Sequence, residues 1–348
     1  GYLMSFAKLV TGEMLIMLLE DRILFAYFTC GLTEKLSPDS QHPVPEYSPP
    51  GRVSVRNRPL SGDAETTRRF LIAGTLVTCM TLALDSEQLD RYSRHIIMDD
   101  VGPEGQAALL DSAVLVVGAG GLGAPVLQYL AAAGVGRLGI ADDDAVELSN
   151  LQRQVIHGND DVGRPKVDSA REFVERLNPD VEVVTYETRV EQDNVESLIE
   201  GYDVVVDASD NFPTRFLLND ACMLAGTPLS HGAVYRFEGQ ATTITGRPCY
   251  RCLFPEAPPE GAVPDCATAG VLGVLPGTIG AIQATEVVKL LMDYGEPLDG
   301  RLLAYDARDM TTEFVPIAPN PECPVCGEEP AIDSVTEGEY AGACTLGD

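Results

Sequence analysis

Positive charge is what this sequence has least of. Its 348 residues hold 24 lysines and arginines against 53 aspartates and glutamates, a formal net charge of -29. An acidic surface repels phosphate backbones and anionic lipid, so nucleic acid and membrane surfaces are poor candidates for the main partner. The deficit is uneven. Residues 1–79 hold eight basic and eight acidic side chains, while residues 80–348 hold 16 and 45. This second part has two lysines, Lys166 and Lys289, against fourteen arginines. Acidity with so little lysine has the character of proteins adapted to a high-salt cytoplasm, where carboxylates keep a surface hydrated.

An uninterrupted apolar run of spanning length is also missing. The stretch from Leu3 to Phe28 is broken by Glu13, Glu20 and Asp21, which argues against a membrane span. Evenly spaced cysteines are missing too. Of nine, four form two C-x-x-C pairs and Cys266 stands alone in a Gly-rich stretch, unlike a disulfide framework and suited to a reducing cytoplasm. Residues 1–79 combine the apolar stretch with a Pro/Ser-rich run (Ser37 to Pro50) and a basic patch (Arg52 to Arg69). They are expected to be a largely disordered upstream extension, with natural translation beginning at Met80.

What the second part does have begins with Ala113-Val114-Leu115-Val116-Val117, a continuous apolar, β-branched run that predicts a strand buried on both faces. Gly118-Ala119-Gly120-Gly121-Leu122-Gly123 follows at once. A helix is then expected over Ala124 to Ala133, with Pro125 in its first turn and Gly134 as its stop. Glycines permit a tight turn and close backbone approach to phosphate, and the helix N-terminus supplies oriented N–H groups. The next strand, Arg137 to Ala141, ends in Asp142, about twenty residues past the glycines, where a carboxylate can bind ribose hydroxyls. All this suits a dehydrogenase as well.

The downstream set does not. It comprises Ser149-Asn150-Leu151-Gln152-Arg153-Gln154, Gly163-Arg164-Pro165-Lys166, and Val204-Val205-Val206-Asp207-Ala208-Ser209-Asp210-Asn211. Arg153 and Lys166 offer two cations for a triphosphate. Asp210, expected at the end of an apolar strand, is placed to hold Mg²⁺ beside it. Hydride transfer has no use for this set, and ATP chemistry does.

With Arg91-Tyr92-Ser93-Arg94-His95 and the two cysteine pairs, these motifs make the chain similar to the MoeB/ThiF/E1 superfamily from about Leu89 to Gly327. Enzymes of that superfamily activate ubiquitin-like and sulfur-carrier proteins. The expected fold class is α/β, a Rossmann-like mixed sheet flanked by helices with a Cys₄ zinc site in the C-terminal part. A single adenylating domain is expected over 80–348. Its nucleotide-binding half covers about 85–212, its modifier-binding and zinc half about 213–330, and a flexible tail 331–348. Without a rhodanese-like domain beyond Gly327, the chain resembles the short members, and its acidity points to the haloarchaeal modifier-activating type.

The resemblance implies that the C-terminal glycine carboxylate of a β-grasp protein ending in Gly-Gly attacks the ATP α-phosphate. Gly118, Gly120, Gly121 and Gly123 form the phosphate loop and Asp142 holds the ribose. Ser149, Asn150, Leu151, Gln152, Arg153 and Lys166 form the phosphate side, and Asp210 with Asn211 the Mg²⁺ side. Arg94 matches an arginine that enters the active site of the other subunit, implying a homodimer. Cys266 matches a region where some members carry a cysteine that receives the modifier; in others a sulfurtransferase uses the adenylate directly.

The pairs Cys249/Cys252 and Cys323/Cys326 have the local spacing of a closed, structural Cys₄ zinc site. Cys222 and Cys344 are expected to be inert. Two rival functions stay open at this point. One is a nicotinamide-dependent oxidoreductase, supported by the glycine loop and Asp142 alone. The other is a non-catalytic scaffold subunit, which would not need the full charged set.

Overall fold

The computed structural model describes residues 84–256, 269–338 and 340, together with strand segments between residues 7 and 80. The chain divides into two compact units, Gly1–Arg94 and His95–Asp348.

The first unit contains strands β1 (Ala7–Lys8), β2 (Met14–Leu19) and β3 (Arg22–Tyr27) in an antiparallel sheet, and a hairpin of β4 (Thr67–Ile72) and β5 (Thr75–Met80). Helix α1 (Ser86–Arg91) starts at a capping box. The Asp85 carboxylate accepts from the amides of Glu87 and Gln88, and Gln88 Oε1 accepts from the Asp85 amide. Two orphan amides are thereby satisfied at the helix entry. Helix α2 (Ser93–Ile96) follows.

The second unit is built on the expected mixed sheet. After α3 (Gly102–Leu110) come β6 (Ala113–Val117), α4 (Gly123–Ala133), β7 (Arg137–Ala141), α5 (Lys166–Leu177), β8 (Glu182–Tyr186), α6 (Val195–Ile199), β9 (Val204–Asp207) and α7 (Phe212–Ala225). Then follow β10 (Leu229–Tyr235), β11 (Glu238–Ile244), α8 (Tyr250–Leu253), α9 (Val274–Met292), β12 (Arg301–Asp306) and β13 (Thr311–Pro316). The eight strands run in the order β13-β12-β11-β10-β9-β6-β7-β8. Strands β8 to β10 along this order are parallel; the β10–β11, β11–β12 and β12–β13 pairs are antiparallel.

The run read as doubly buried is so: all five residues of β6 are buried. Alternate side chains feed two cores. Val114 and Val116 pack with α4, α5 and α9; Ala113, Leu115 and Val117 pack with α6, α7 and the region around the cysteines. Helix α9 has the length and composition of a membrane span, but Leu275, Ile279, Ala284 and Val287 bury its inner face in the first of these cores. It begins at Val274 and runs for 19 residues.

The chain leaves β6 toward β7 and β8, then returns to β9 on the other side of β6. That reversal opens a crevice at the carboxyl ends of β6 and β9, the place where open α/β sheets bind ligands. At the far end, residues 331–338 and Tyr340 differ from the flexible tail expected there. Val335 is buried, Gln192 Nε2 donates to the carbonyls of Val335 and Gly338, and Tyr340 Oη donates to Asp220. Burial of Val335 and these hydrogen bonds hold the segment against Gln192 and α7.

Candidate functional site

A cleft of about 310 Å³ occupies that crevice. Its lining includes Gly118, Gly120, Gly121, Asp142, Arg153, Lys166, Asp210 and Asn211, eight of the residues singled out in the sequence for nucleotide binding. The glycine loop can lie this close to the sheet only without side chains. Gly118 has φ +102°, and a Cβ there would stand 2.7 Å from the Ala208 carbonyl oxygen. A Cβ on Gly123 would stand 1.9 Å from the Gly118 carbonyl oxygen, so the third glycine is required for helix α4 to start where it does.

Asp142 directly follows β7. Its carboxylate accepts from the Ala119 amide at 2.7 Å and the Asp144 amide at 2.9 Å, tying the strand end to the glycine loop. Burial raises its pKa above the usual carboxylate value, against the pull of Lys166 and the two amides. Lys166 opens α5, with its ammonium 2.6 Å from Asp144 and 4.0 Å from Asp142. The lysine side chain is 7% exposed and that of Asp144 65%, so a buried cation is matched by a partner that solvent can draw away and an incoming anion can replace.

The apolar strand before Asp210 is shorter than expected. Strand β9 closes at Asp207, and Asp210 sits exposed on the turn ahead of α7. Asn211 caps that helix, its Oδ1 accepting from the Thr214 amide at 2.9 Å. Asp207 is buried, with Oδ2 2.7 Å from His231 Nδ1 and Oδ1 accepting from Ser209. Burial would raise its pKa, but these hydrogen bonds and Arg215 outweigh it, and the net shift is downward.

The other members of the 149–153 run sit differently. Arg153 donates to the Ser149 carbonyl at 3.1 Å, Ser149 Oγ donates to Glu147, and Asn150 is buried with its Oδ1 accepting the Glu147 amide. Their hydrogen bonds shape the turn that aims Arg153. Ser149, Asn150, Leu151, Gln152 and Gly123 do not line the cleft. Arg94 is exposed on α2 in the first unit. Cys266 and Cys344 lie outside the described residues, and Cys222 is buried with its thiol pKa driven far up by burial.

Sequence reasoning missed Gln154, Thr188, Arg189 and Arg215, all of which line the cleft. Gln154 was quoted only as the end of a motif. Arg215 is buried four residues into the helix that Asn211 caps, and that spacing was the only signal for it.

In the core that packs with α6 and α7 the four paired cysteines converge. Cys249 Sγ lies 3.6 Å from Cys323 Sγ and Cys252 Sγ 3.4 Å from Cys326 Sγ, with all four sulfurs within 4.8 Å of one another. No disulfide joins any of the four. Tetrahedral zinc at ~2.3 Å from each sulfur sets sulfurs roughly 3.8 Å apart, so the donor set and spacing fit that ion. Between the first pair, Arg251 makes a two-pronged ion pair with the fully buried Asp220, Nε to Oδ1 at 2.8 Å and Nη2 to Oδ2 at 2.7 Å.

The ThiF family model matches residues 92–325. The chain is 67% identical over 268 residues to the SAMP-activating enzyme E1 of Haloferax volcanii, covering 77% of this chain and 99% of that protein. It is 53% identical over 267 residues to the sulfur carrier protein adenylyltransferase of Thermus thermophilus, covering 75% and 98%. Among solved structures, that of E. coli MccB with ATP shares the fold at a TM-score of 0.60 and 22% identity, over 68% of this chain and 74% of that one. The chain belongs to the ThiF family.

Proposed function

We propose that this member of the ThiF family uses ATP to adenylate the C-terminal carboxylate of small ubiquitin-like or sulfur-carrier proteins that end in Gly-Gly. The observation that carries the reading is the convergence of the glycine loop, Arg153, Lys166, Asp142 and Asp210 on one cleft. It is supported by relatives over nearly their whole length that are named for SAMP activation and sulfur carrier adenylylation. A nicotinamide enzyme would leave the two cations and Asp210 without a task.

In this reading the glycine carboxylate oxygen bonds to the α-phosphorus, and the bond from that phosphorus to the pyrophosphate oxygen breaks. The products are an acyl-adenylate and pyrophosphate. The glycine loop and Gln154 line the phosphate side, and Arg153 and Lys166 neutralise phosphate oxygens as charge moves onto the leaving group. Asp142 takes the ribose with a carboxylate that the Ala119 and Asp144 amides already orient. Asp210 would hold Mg²⁺, which when bound supplies charge neutralisation. Zinc in the four cysteines would have a structural role, its closed ligand set leaving no open position.

The reading extends to a homodimer in which Arg94 serves the other copy's site, and to a cytoplasmic location that keeps the cysteines reduced. It also gives Cys266 a nucleophilic role: its thiolate attacks the acyl carbon, AMP leaves, and a thioester remains for conjugation or sulfur transfer. A sulfurtransferase partner is the route if Cys266 does not act. The test is exchange of labelled pyrophosphate into ATP at high salt with a β-grasp protein, intact or lacking its two terminal glycines. Exchange only with the intact tail is expected; none with any such protein would overturn the reading. Cys266→Ala should keep exchange and lose onward transfer.

A further inference from the structure

We propose that His157 is a positioning residue that sets the phosphate-binding loop in its anion-binding shape by holding the Ala119 carbonyl. The proposal rests on the nucleotide reading above and adds a residue outside the cleft lining.

The His157 ring is buried, with Nε2 2.9 Å from the Ala119 carbonyl oxygen and Nδ1 2.8 Å from Ser169 Oγ. A carbonyl oxygen can only accept, so Nε2 carries the proton. In the neutral ring Nδ1 then accepts from the serine hydroxyl. Burial, aided by Lys166, lowers the ring's pKa below the ordinary histidine value, against the opposing pull of the Ala119 carbonyl and Asp161.

Peptide planarity turns this one bond into control of the loop. In a trans peptide the carbonyl of one residue and the amide of the next point in opposite directions. Holding the Ala119 carbonyl toward His157 therefore sends the Gly120 amide the other way, and Gly120 lines the cleft. The preceding peptide is fixed as well, because the Ala119 amide donates to Asp142. Among the described residues, the amides of Gly120, Gly121 and Leu122 have no hydrogen-bond partner, as an anion site needs. Released, the 119–120 peptide could rotate and face phosphate with an oxygen. His157 also joins the loop to α5, since Ser169 lies three residues beyond Lys166.

The experiment compares His157→Gln and His157→Asn in the full chain. A glutamine amide nitrogen sits about where Nε2 does and can keep the bond to Ala119; the shorter asparagine places its nitrogen nearer Nδ1 and loses it. ATP binding by calorimetry and the ATP dependence of pyrophosphate exchange are measured alongside Tm and zinc content. For His157→Asn we expect ATP Kd and KM to rise roughly tenfold, with kcat changed far less. His157→Gln should stay near wild type, and zinc should be unchanged in both. Equal ATP affinity in all three proteins would overturn the proposal. So would equal loss in both variants in step with a fall in Tm, which marks a merely structural histidine. Wild-type protein that binds ATP without exchange would sink the adenylation reading and leave the histidine comparison readable; no ATP binding would overturn both.

Discussion

The two chemical centres of this protein are built on opposite terms. The cleft at the carboxyl ends of β6 and β9 gathers charges whose partners are incomplete or exposed: Lys166 against a largely exposed Asp144, Asp210 on an open turn, and the amides of Gly120, Gly121 and Leu122, which have no acceptor among the described residues. The cysteine cluster is the reverse. Its sulfurs face one another, and its neighbouring arginine is locked to a carboxylate with no exposure. Unmet charge beside solvent suits a ligand that arrives and leaves; a closed donor set suits an ion that stays. Substitutions should therefore separate into those that remove activity and those that remove stability.

The largest effect should come from the closed centre. In the zinc reading, Cys323→Ser should lose the ion and much of the thermal stability, because structural zinc sites bind with about 10–16 kcal/mol at neutral pH in small peptides. Zinc analysis and calorimetry check this; a variant with unchanged Tm would show that the cluster does not restrain the fold. Next, Lys166→Ala or Asp210→Ala should lower pyrophosphate exchange by roughly a hundredfold to a thousandfold, the scale of removing one charge-stabilising group from an active site. Zinc content and Tm should hold. Full exchange in either variant would remove that residue from the ATP site.

Asp220→Asn sharpens the contrast, because it leaves Arg251 buried without its counter-charge. Breaking one side of a buried pair costs about 3–5 kcal/mol, so urea unfolding should shift strongly while ATP affinity changes little. Equal losses in both would mean that α7 transmits the damage to the cleft.

The smallest effects concern two carboxylates at strand ends. Asp207 has a lowered pKa, so its ionised form stabilises the fold above the unfolded carboxylate value near 3.9. That contribution fades as pH falls through the still lower folded value, so wild type and Asp207→Asn should converge in Tm on acidification. Asp142 has a raised pKa, so ionising it opposes folding, and the opposition is relieved as pH falls through its folded value. Asp142→Asn should raise Tm slightly at neutral pH while weakening ATP binding. A lower Tm in that variant would show that its hydrogen bonds to Ala119 and Asp144 outweigh the cost of burial.

Much of this was legible in the chain. The run 113–117 announced its strand, the glycines their turn, and Gly134 its helix stop, which the structure places at φ +83°. These are local properties, set by neighbours within a few residues. The end of β9 was misjudged because Ala208 continues the apolar pattern past the last ladder pair, and the segment after 331 looked free because its partners, Gln192 and Asp220, are far away in sequence.

By itself, the sequence determined which side-chain types were present: a glycine-rich loop after a buried strand, a downstream set of charges and four thiols in two C-x-x-C pairs. Backbone periodicity and side-chain type are written residue by residue. Only the tertiary structure decided which groups meet. It placed Arg189, Arg215 and Gln154 at the cleft, paired Cys249 with Cys323, tied Lys166 to Asp144 and brought His157 to the Ala119 carbonyl. Those contacts depend on the order of strands in the sheet and on the reversal at β6, and no short stretch of sequence carries that order.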